Sequence, residues 1–109
     1  MLILICGLPG TGKSTVAEGV REKIDGIVVR TDDIRKKLYK NPTYSNEEKE
    51  FVYKVLFIVV EYLLKNHRNI VVEGTFYKHS LRKKLEEIAK RYKRKFYVIK
   101  CVCNENTIK

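Results

Sequence analysis

With 109 residues, this chain is one domain with room for a hydrophobic core, although nucleotide-dependent enzymes are usually longer. Apolar residues make up 44% and charged residues 33%, and the longest fully apolar runs, residues 1–6 and 55–60, are too short to cross a bilayer. No basic segment precedes the apolar N-terminus, so neither a membrane span nor a secretory signal is expected, and the predicted location is cytoplasmic.

Basic residues outnumber acidic ones by 23 to 13, a net charge of +10 that favours acidic partners such as nucleotides or nucleic acid. The excess is uneven, because residues 78–100 contain ten basic and two acidic side chains, which gives +8 of the +10. This basic region is either a nucleic-acid surface, with RNA as a candidate partner, or the solvated face of a lysine-rich protein.

Strands and helices alternate along the chain. The predicted order is a strand (1–6), a helix (13–24), a strand (27–29), a helix (32–39), a helix (45–66), a strand (70–72), a helix (81–92) and a strand (96–102). Because the strands are mostly apolar and alternate with helices, they predict a parallel sheet of about four strands with helices on both faces and right-handed crossovers.

The helix starts carry capping residues. Thr31 or Asp32 is expected to cap the second helix, and Ser45 with Glu48 matches a capping box at the start of the third. Asn104 is expected to cap a further helix that begins close to the last residue.

The stretch GLPGTGKST, residues 7–15, lies between the first strand and the first helix. It satisfies the pattern G-x-x-x-x-G-K-[ST], with Gly7, Gly12, Lys13 and Ser14 at the fixed positions. Glycines let successive backbone N–H groups turn around an anion, and the helix that follows directs its positive end to the same point. Glycine-rich loops also serve as plain turns, but the strand-to-helix setting favours a phosphate site.

Every residue of this loop is predicted to contribute to nucleotide binding: Gly7, Leu8, Pro9, Gly10, Thr11, Gly12, Lys13, Ser14 and Thr15. Lys13 is expected to reach the outer phosphates, where it assists catalysis, and the Ser14 hydroxyl is expected to ligate Mg²⁺. Thr15 is a candidate for a hydrogen bond to an inner phosphate.

Charged residues follow the second and third strands. Asp32 and Arg35 are three positions apart and share a helix face, so Asp32 is a candidate base towards a hydroxyl and Arg35 a candidate ligand of an anionic acceptor. The alternatives are a helix cap for Asp32 and a solvated side chain for Arg35. Glu73 is a candidate for holding Mg²⁺, where Asp is the usual residue, or has a structural role. Thr75, two positions after Glu73, is a candidate for assisting a phosphate or the acceptor.

Cysteine and histidine do not suggest chemistry of their own. Cys6, Cys101 and Cys103 lie in apolar runs and are interpreted as small buried hydrophobic residues. His67 and His79 stand among polar neighbours and are interpreted as surface residues.

Over nearly its whole length the chain resembles the P-loop kinases of the polynucleotide kinase and zeta-toxin type, with the seryl-tRNA kinases and adenylylsulfate kinases nearby. The resemblance rests on GLPGTGKST, on D-x-x-R at residues 32–35, on the acid and threonine of VVEGTF, and on a basic helix before FYVIKCVC. It implies a three-layer α/β/α P-loop NTPase fold, ATP as donor, Mg²⁺ as cofactor, Asp32 as base and Arg35 as acceptor-binding residue.

Members of this group continue past the fourth strand into a helix, an arginine-bearing lid and a fifth strand. Residues 1–109 are therefore expected to be a single P-loop kinase-like domain that corresponds to the N-terminal portion of the fold, with activity reduced by the missing lid. The fourth strand is then expected to be an open edge, available for self-association.

These observations predict an ATP-dependent kinase that transfers the γ-phosphoryl group to a hydroxyl of a small molecule or a nucleic acid. A non-catalytic nucleotide- or nucleic-acid-binding module is the alternative. A GTPase is less favoured, because neither N-K-x-D nor D-x-x-G occurs in the sequence.

Overall fold

The computed structural model describes residues 1–8 and 10–102, which form four strands and four helices. In chain order these are β1 (Leu2–Cys6), α1 (Lys13–Ile24), β2 (Ile27–Arg30), α2 (Thr31–Leu38), α3 (Asn46–Lys65), β3 (Ile70–Gly74), α4 (His79–Arg91) and β4 (Phe96–Lys100). Every element predicted within these residues is present in the predicted order, so the α/β fold class is confirmed.

The strands form one parallel sheet in the order β2-β3-β1-β4. Cys6 at the end of β1 pairs with Gly74 of β3 on one side and Lys100 of β4 on the other, while Arg30 of β2 pairs with Glu73 of β3. This register brings the carboxyl ends of the four strands to one edge, where ligands bind in open parallel sheets.

Helices cover both faces of the sheet, as the sequence predicts. All five residues of β1 are buried, and their alternation sends Leu2, Leu4 and Cys6 to the side of α3 and α4. Ile3 and Ile5 face α1 on the opposite side. The continuous apolar pattern of β1 therefore reflects a central strand between two layers of helices.

The strand β4 is less well covered than its apolar pattern suggests. Its outer residues Tyr97, Val98 and Ile99 are exposed although they point alternately to both faces. The strand also ends at Lys100 rather than at residue 102. Within the described residues β4 is an edge strand, as is β2 on the other side of the sheet, so only one of its sides is paired.

The expected cap of the second helix is wrong. β2 continues directly into α2, so the N-cap is Arg30, which makes no side-chain capping bond. Thr31 and Asp32 are already helical. Because no loop separates the two elements, neither residue takes the non-helical position that a capping side chain needs.

The capping box at α3 is confirmed in one half only. The Ser45 hydroxyl accepts the N–H of Glu48 at 3.2 Å, as expected of an N-cap. Glu48 does not return the bond to Ser45; its carboxylate accepts the backbone N–H and the hydroxyl of Thr43 at 2.8 and 3.1 Å. The expected cap at Asn104 lies outside the described residues.

The remaining interpretations concern isolated side chains. Cys6 is buried as expected, Cys101 is half-buried against the α1 side of the core, and Cys103 lies outside the described residues. Both histidines are exposed, and His67 Nδ1 lies 2.7 Å from Arg94 Nη2. None of the helices in the described residues is long and apolar enough to span a membrane.

Candidate active site

The loop after β1 has the backbone that its glycines make accessible. Gly10 and Gly12 have φ of 81° and 80°, in the left-handed region that a side chain makes costly by about 1 kcal/mol or more. Gly12 is the N-cap of α1, so the first N–H groups of that helix point towards the loop. The combination has the geometry that an anion site requires.

Position 7 has no room for a side chain, because the backbone of another segment lies against it. A Cβ at this position would be 2.3 Å from the carbonyl oxygen of Cys101. The chain leaving β4 is held there by a hydrogen bond from the Cys101 N–H to the Cys6 carbonyl at 2.8 Å. Gly7 thus lets the loop begin directly beneath the end of a neighbouring strand.

Two side chains close the loop upon itself. The Thr11 hydroxyl and the Lys13 ammonium both donate to the carbonyl of Leu8, at 2.7 and 3.1 Å. These bonds keep Lys13 next to the loop that its charge is expected to serve. Pro9, predicted with the rest of the loop, lies outside the described residues.

A cleft of about 800 Å³ opens at the carboxyl edge of the sheet. Its lining joins the phosphate loop to the ends of β2 and β3 and to the start of α3. The residues are Gly10, Gly12, Lys13, Ser14, Thr15, Arg30, Thr31, Asp32, Arg35, Tyr44, Lys49, Tyr53, Glu73, Gly74, Thr75 and Tyr77. The candidates Lys13, Ser14, Asp32, Arg35 and Glu73, proposed from separate stretches of sequence, therefore meet in one cleft.

Four side chains beneath the phosphate loop form a network of three successive polar contacts. The Ser14 hydroxyl donates to Glu73 Oε1 at 2.8 Å, and Arg30 Nε donates to Glu73 Oε2 at 2.5 Å. Arg30 Nη2 also donates to Glu18 at 2.7 Å, and Glu18 lies one helical turn after Ser14 on α1. This polar network connects α1, β2 and β3 beneath the phosphate loop.

The charges of this polar network stabilise one another. The hydrogen bond to Glu18 raises the pKa of Arg30, burial opposes the shift, and the bond to Glu73 adds to it. Hydrogen bonds from Arg30 and Arg21 lower the pKa of Glu18. Arg30 is consequently a permanent cation between two carboxylates, and sequence reasoning assigned it no role.

Ser14 and Glu73 have the chemistry that Mg²⁺ requires. A hydroxyl oxygen and a carboxylate oxygen 2.8 Å apart at the floor of the cleft are hard ligands, and Mg²⁺ typically binds proteins through one or two carboxylates plus substrate phosphates and water. The described residues contain no group of three or more histidine, cysteine or acidic side chains that would hold a metal by themselves. The pair fits a metal that arrives with a phosphate.

Asp32 and Arg35 make the contact that their spacing predicts. Arg35 Nη1 donates to Asp32 Oδ1 at 3.1 Å, and the Asp32 side chain is 72% exposed towards the cleft. Arg35 is not solvated, since only 7% of the residue is accessible. Its Nε lies 3.1 Å from Glu48 Oε1 as an ion pair without hydrogen-bond geometry, and its guanidinium stacks on the Tyr44 ring at 4.6 Å.

Glu48 is a buried carboxylate that sequence reasoning identified only as a capping residue. Burial alone would raise its pKa, but the bonds from Thr43 and the neighbouring charge of Arg35 bring that pKa below the ordinary value. Its partners are the chain before α3 and a side chain of α2. The capping-box spacing separates Glu48 from its exposed neighbour Glu47, but it does not predict the pairing with Arg35.

The fold and the cleft together define a P-loop phosphate-binding protein: a parallel sheet with a glycine-rich loop that leads from its central strand into a helix. Residues 2–109 match the family described as AAA domain, and the chain belongs to that family.

Its relatives include kinases. The chain is 34% identical to the L-seryl-tRNA(Sec) kinase of Methanococcus maripaludis over an alignment of 95 residues, and the match covers 83% of this chain and 36% of that protein. The chain thus spans about a third of the length of this relative. It is also 32% identical over 87 residues to an uncharacterised protein of Mycobacterium tuberculosis, covering 69% of this chain and 18% of that protein.

Solved structures show the same fold. The APS kinase CysC of Mycobacterium tuberculosis, solved in complex with AMPPNP and APS, matches 97% of this chain and 64% of its own with a TM-score of 0.76 at 21% identity. A gluconokinase from Sinorhizobium meliloti matches 97% and 59% with a TM-score of 0.72 at 19% identity. A chain of the Pnkp1/Rnl/Hen1 RNA repair complex matches 98% and 35% with a TM-score of 0.78 at 24% identity. The resemblance to P-loop kinases is confirmed.

Proposed function

We propose that this chain is the ATP-binding and catalytic part of a kinase that transfers the γ-phosphoryl group to a hydroxyl. The observation that carries the proposal is the meeting of Ser14, Glu73 and Asp32 in one cleft beside the phosphate loop. A loop that only folds the chain has no need of a hydroxyl–carboxylate pair at its base and an exposed carboxylate facing the same space.

In the proposed reaction the loop N–H groups and Lys13 hold the triphosphate, and Ser14 and Glu73 hold Mg²⁺. Bound Mg²⁺ supplies positive charge that neutralises the phosphate oxygens. The acceptor oxygen bonds to the γ-phosphorus, the bond from that phosphorus to the bridging oxygen breaks, and ADP leaves. Asp32 takes the proton of the acceptor hydroxyl.

The relatives support a hydroxyl acceptor without identifying it. Their names include a seryl-tRNA kinase, a gluconokinase and an APS kinase. These names indicate different acceptors but the same type of reaction, phosphoryl transfer. We propose the shared step for this chain, as the part of the protein that binds ATP. The single-domain boundary at residues 1–109 and the cytoplasmic location stay predictions.

The basic region 78–100 is the main support for a nucleic-acid partner. It forms α4 and β4, and its lysines are mostly exposed. Part of its charge is compensated, because Arg91 pairs with Glu61 at 2.7 Å and Lys90 with Glu86 at 3.6 Å. We therefore propose RNA as one class of acceptor for the kinase. The cleft favours the kinase hypothesis over a non-catalytic binding module.

Incubation with γ-labelled ATP, Mg²⁺ and hydroxyl-bearing candidates tests the proposal. We expect Asp32→Asn to lower the rate of label transfer by about 10²- to 10⁴-fold, because the variant lacks the base. ATP affinity is expected to change little, since the phosphate loop is untouched.

The neighbouring Asp33→Asn serves as the matched control. Asp33 is also exposed and follows Asp32 on α2, but it does not line the cleft and lies 3.9 Å from Arg30. Equal transfer rates in the Asp32 and Asp33 variants would remove Asp32 from the role of base.

A further inference from the structure

The cleft extends beyond Asp32 into a part that phosphate binding and proton transfer do not use. This part, which we call the tyrosine end, is lined by Tyr44, Lys49 and Tyr77. Both tyrosines are large side chains with substantial exposure, 57% for Tyr44 and 46% for Tyr77. Two half-exposed aromatic rings and an ammonium on the wall of a cleft are a combination found at ligand sites.

Tyr44 is held in place by the chain around it. Its φ is 58°, in the left-handed region that is costly for a residue with a bulky side chain. The hydrogen bonds from Thr43 to Glu48 hold this turn, and the Arg35 guanidinium lies 4.6 Å from the ring centroid. One face of the ring is thus packed, while over half of the residue remains accessible at the cleft.

Tyr77 is positioned from the opposite side. The preceding residue, Phe76, is buried with a φ of 48°, and its N–H donates to the Tyr53 hydroxyl at 3.0 Å. Tyr53 and Tyr77 meet edge to face with their centroids 6.0 Å apart. These contacts fix the direction in which Tyr77 leaves the core, and its ring remains half-exposed.

The charges at the tyrosine end favour an anionic ligand. Arg35 has its positive charge balanced by Glu48 and Asp32. Lys49 Nζ lies 5.2 Å from the Tyr77 centroid, and in the described part of the chain it pairs with no carboxylate. Lys78 Nζ lies 5.6 Å from the same ring and adds a second cation.

We propose that the tyrosine end binds a nucleotide unit of the acceptor, with a base stacked on Tyr44 or Tyr77 and a phosphate next to Lys49. The inference rests on the proposed function, because it places the acceptor hydroxyl near Asp32. Aromatic side chains beside cations are how proteins hold single-stranded nucleotides, whose bases offer a flat face and whose phosphates carry charge. An acceptor without a ring, such as a polyol, would leave both tyrosine faces in water.

Binding is tested with the donor site saturated by AMPPNP and Mg²⁺, so that the probe reports the tyrosine end. The probes are a single-stranded hexanucleotide with a free 5′-hydroxyl and a 3′ fluorophore, an unlabelled nucleoside 3′-monophosphate as competitor, and gluconate as a competitor without a ring. We expect Tyr44→Leu and Tyr77→Leu each to weaken hexanucleotide binding by roughly 5- to 150-fold. Lys49→Gln is expected to reduce the salt dependence of binding.

Matched controls come from the exposed face of α3. Tyr62 and Lys54 are exposed and lie outside the tyrosine end. Tyr62→Leu and Lys54→Gln are expected to bind the hexanucleotide within about twofold of the wild type. Competition by the monophosphate would identify a single nucleotide as sufficient, and competition only by longer strands would identify the end of a polynucleotide.

The result that overturns the inference is a set of tyrosine variants that bind the hexanucleotide no more weakly than the controls, or displacement of the probe by gluconate alone. Its failure can be told from failure of the kinase proposal. Label transfer that is unaffected in both tyrosine variants contradicts the tyrosine end and leaves the kinase, whereas tyrosine-dependent binding without any transfer contradicts the kinase and leaves the site.

Discussion

Arg30 connects three elements through contacts that no sequence motif contains. It is the last residue of β2, and it donates to Glu73 on β3 and to Glu18 on α1. The Glu73 side chain is only 8% exposed, so a charge without a partner there would be costly. Arg30 thus offsets the free-energy cost of burying the Glu73 carboxylate beneath the phosphate loop.

Replacement of this arginine tests the role. We expect Arg30→Gln to lower the free energy of unfolding by about 1–3 kcal/mol, because the buried carboxylate of Glu73 loses its cation. Arg30→Lys keeps the charge and should lose less. The measurement is equilibrium unfolding in urea near neutral pH.

Arg21→Gln is the control for the Glu18 contact. Arg21 pairs with the same glutamate, but both side chains are well exposed, so a loss below about 1 kcal/mol is expected. If the Arg30 and Arg21 variants lose the same small amount, the ion pairs beneath the loop do not stabilise the fold.

Sequence patterns predict the role of a single residue when that residue belongs to a motif or follows a strand end. Ser14 and Glu73 are 59 positions apart, yet both follow from rules: the loop motif fixes one, and a parallel sheet brings strand ends to one edge. Tyr44 and Tyr77 follow from no such rule. Their direction depends on turns with positive φ and on buried contacts that exist only in the folded chain.

At the scale of elements, the start of α3 is fastened to α2. Glu48 belongs to the first turn of α3, where it accepts two bonds from Thr43 and pairs with Arg35 of α2. This contact shapes the wall of the cleft, since Tyr44 lies in the intervening turn. Hydrophobic periodicity predicts both helices but contains no information about how their ends are joined.

Acid pH should loosen this connection. Because the pKa of Glu48 is lowered in the folded protein, the carboxylate stabilises the fold fully above its pKa in the unfolded chain, about 4.5, and the stabilisation is lost as pH falls through the folded pKa. We expect the free energy of unfolding to decrease below about pH 4.5. Glu48→Gln should flatten this decrease.

The exposed neighbour Glu47 is the matched control for the pH profile. Glu47→Gln should leave the acid limb close to that of the wild type. An acid limb of unchanged slope in Glu48→Gln would mean that other carboxylates cause the loss of stability.

Element bounds show how far periodicity reaches. All four strands and four helices follow from apolar spacing, and every predicted bound lies within two residues of the observed one. What periodicity does not predict is how deeply a strand is buried. β4 is shorter and more exposed than its apolar letters suggest, because an apolar run reports what a strand is able to bury and not what packs against it in the described residues.

At the scale of the whole molecule, the sheet has a buried centre and, in the described residues, two edge strands, of which β4 is the more exposed. β1 lies at the centre of the core, while the exposed residues of β4 leave backbone groups available for another strand. Self-association through this edge stays a prediction, as does the effect of a lid, since the chain corresponds to about a third of its seryl-tRNA kinase relative.

The net charge of +10 is also a property of the whole molecule, and it favours phosphate-bearing ligands at a distance. Next to the phosphate loop, positive charge is supplied by one particular side chain. Lys13 is the cation next to the loop carbonyls, at 3.1 Å from the Leu8 oxygen, and the cleft beside it is large enough for a nucleotide.

Calorimetric titration with ATP and Mg²⁺ tests most directly whether this cleft holds a nucleotide. We expect the wild-type chain to bind ATP and Lys13→Gln to bind about 10- to 100-fold more weakly, because charged hydrogen bonds to phosphate are lost. Lys23→Gln, an exposed lysine near the end of the same helix, should bind as the wild type does. No binding by the wild type, or equal affinity in the two lysine variants, would contradict a nucleotide site at the loop.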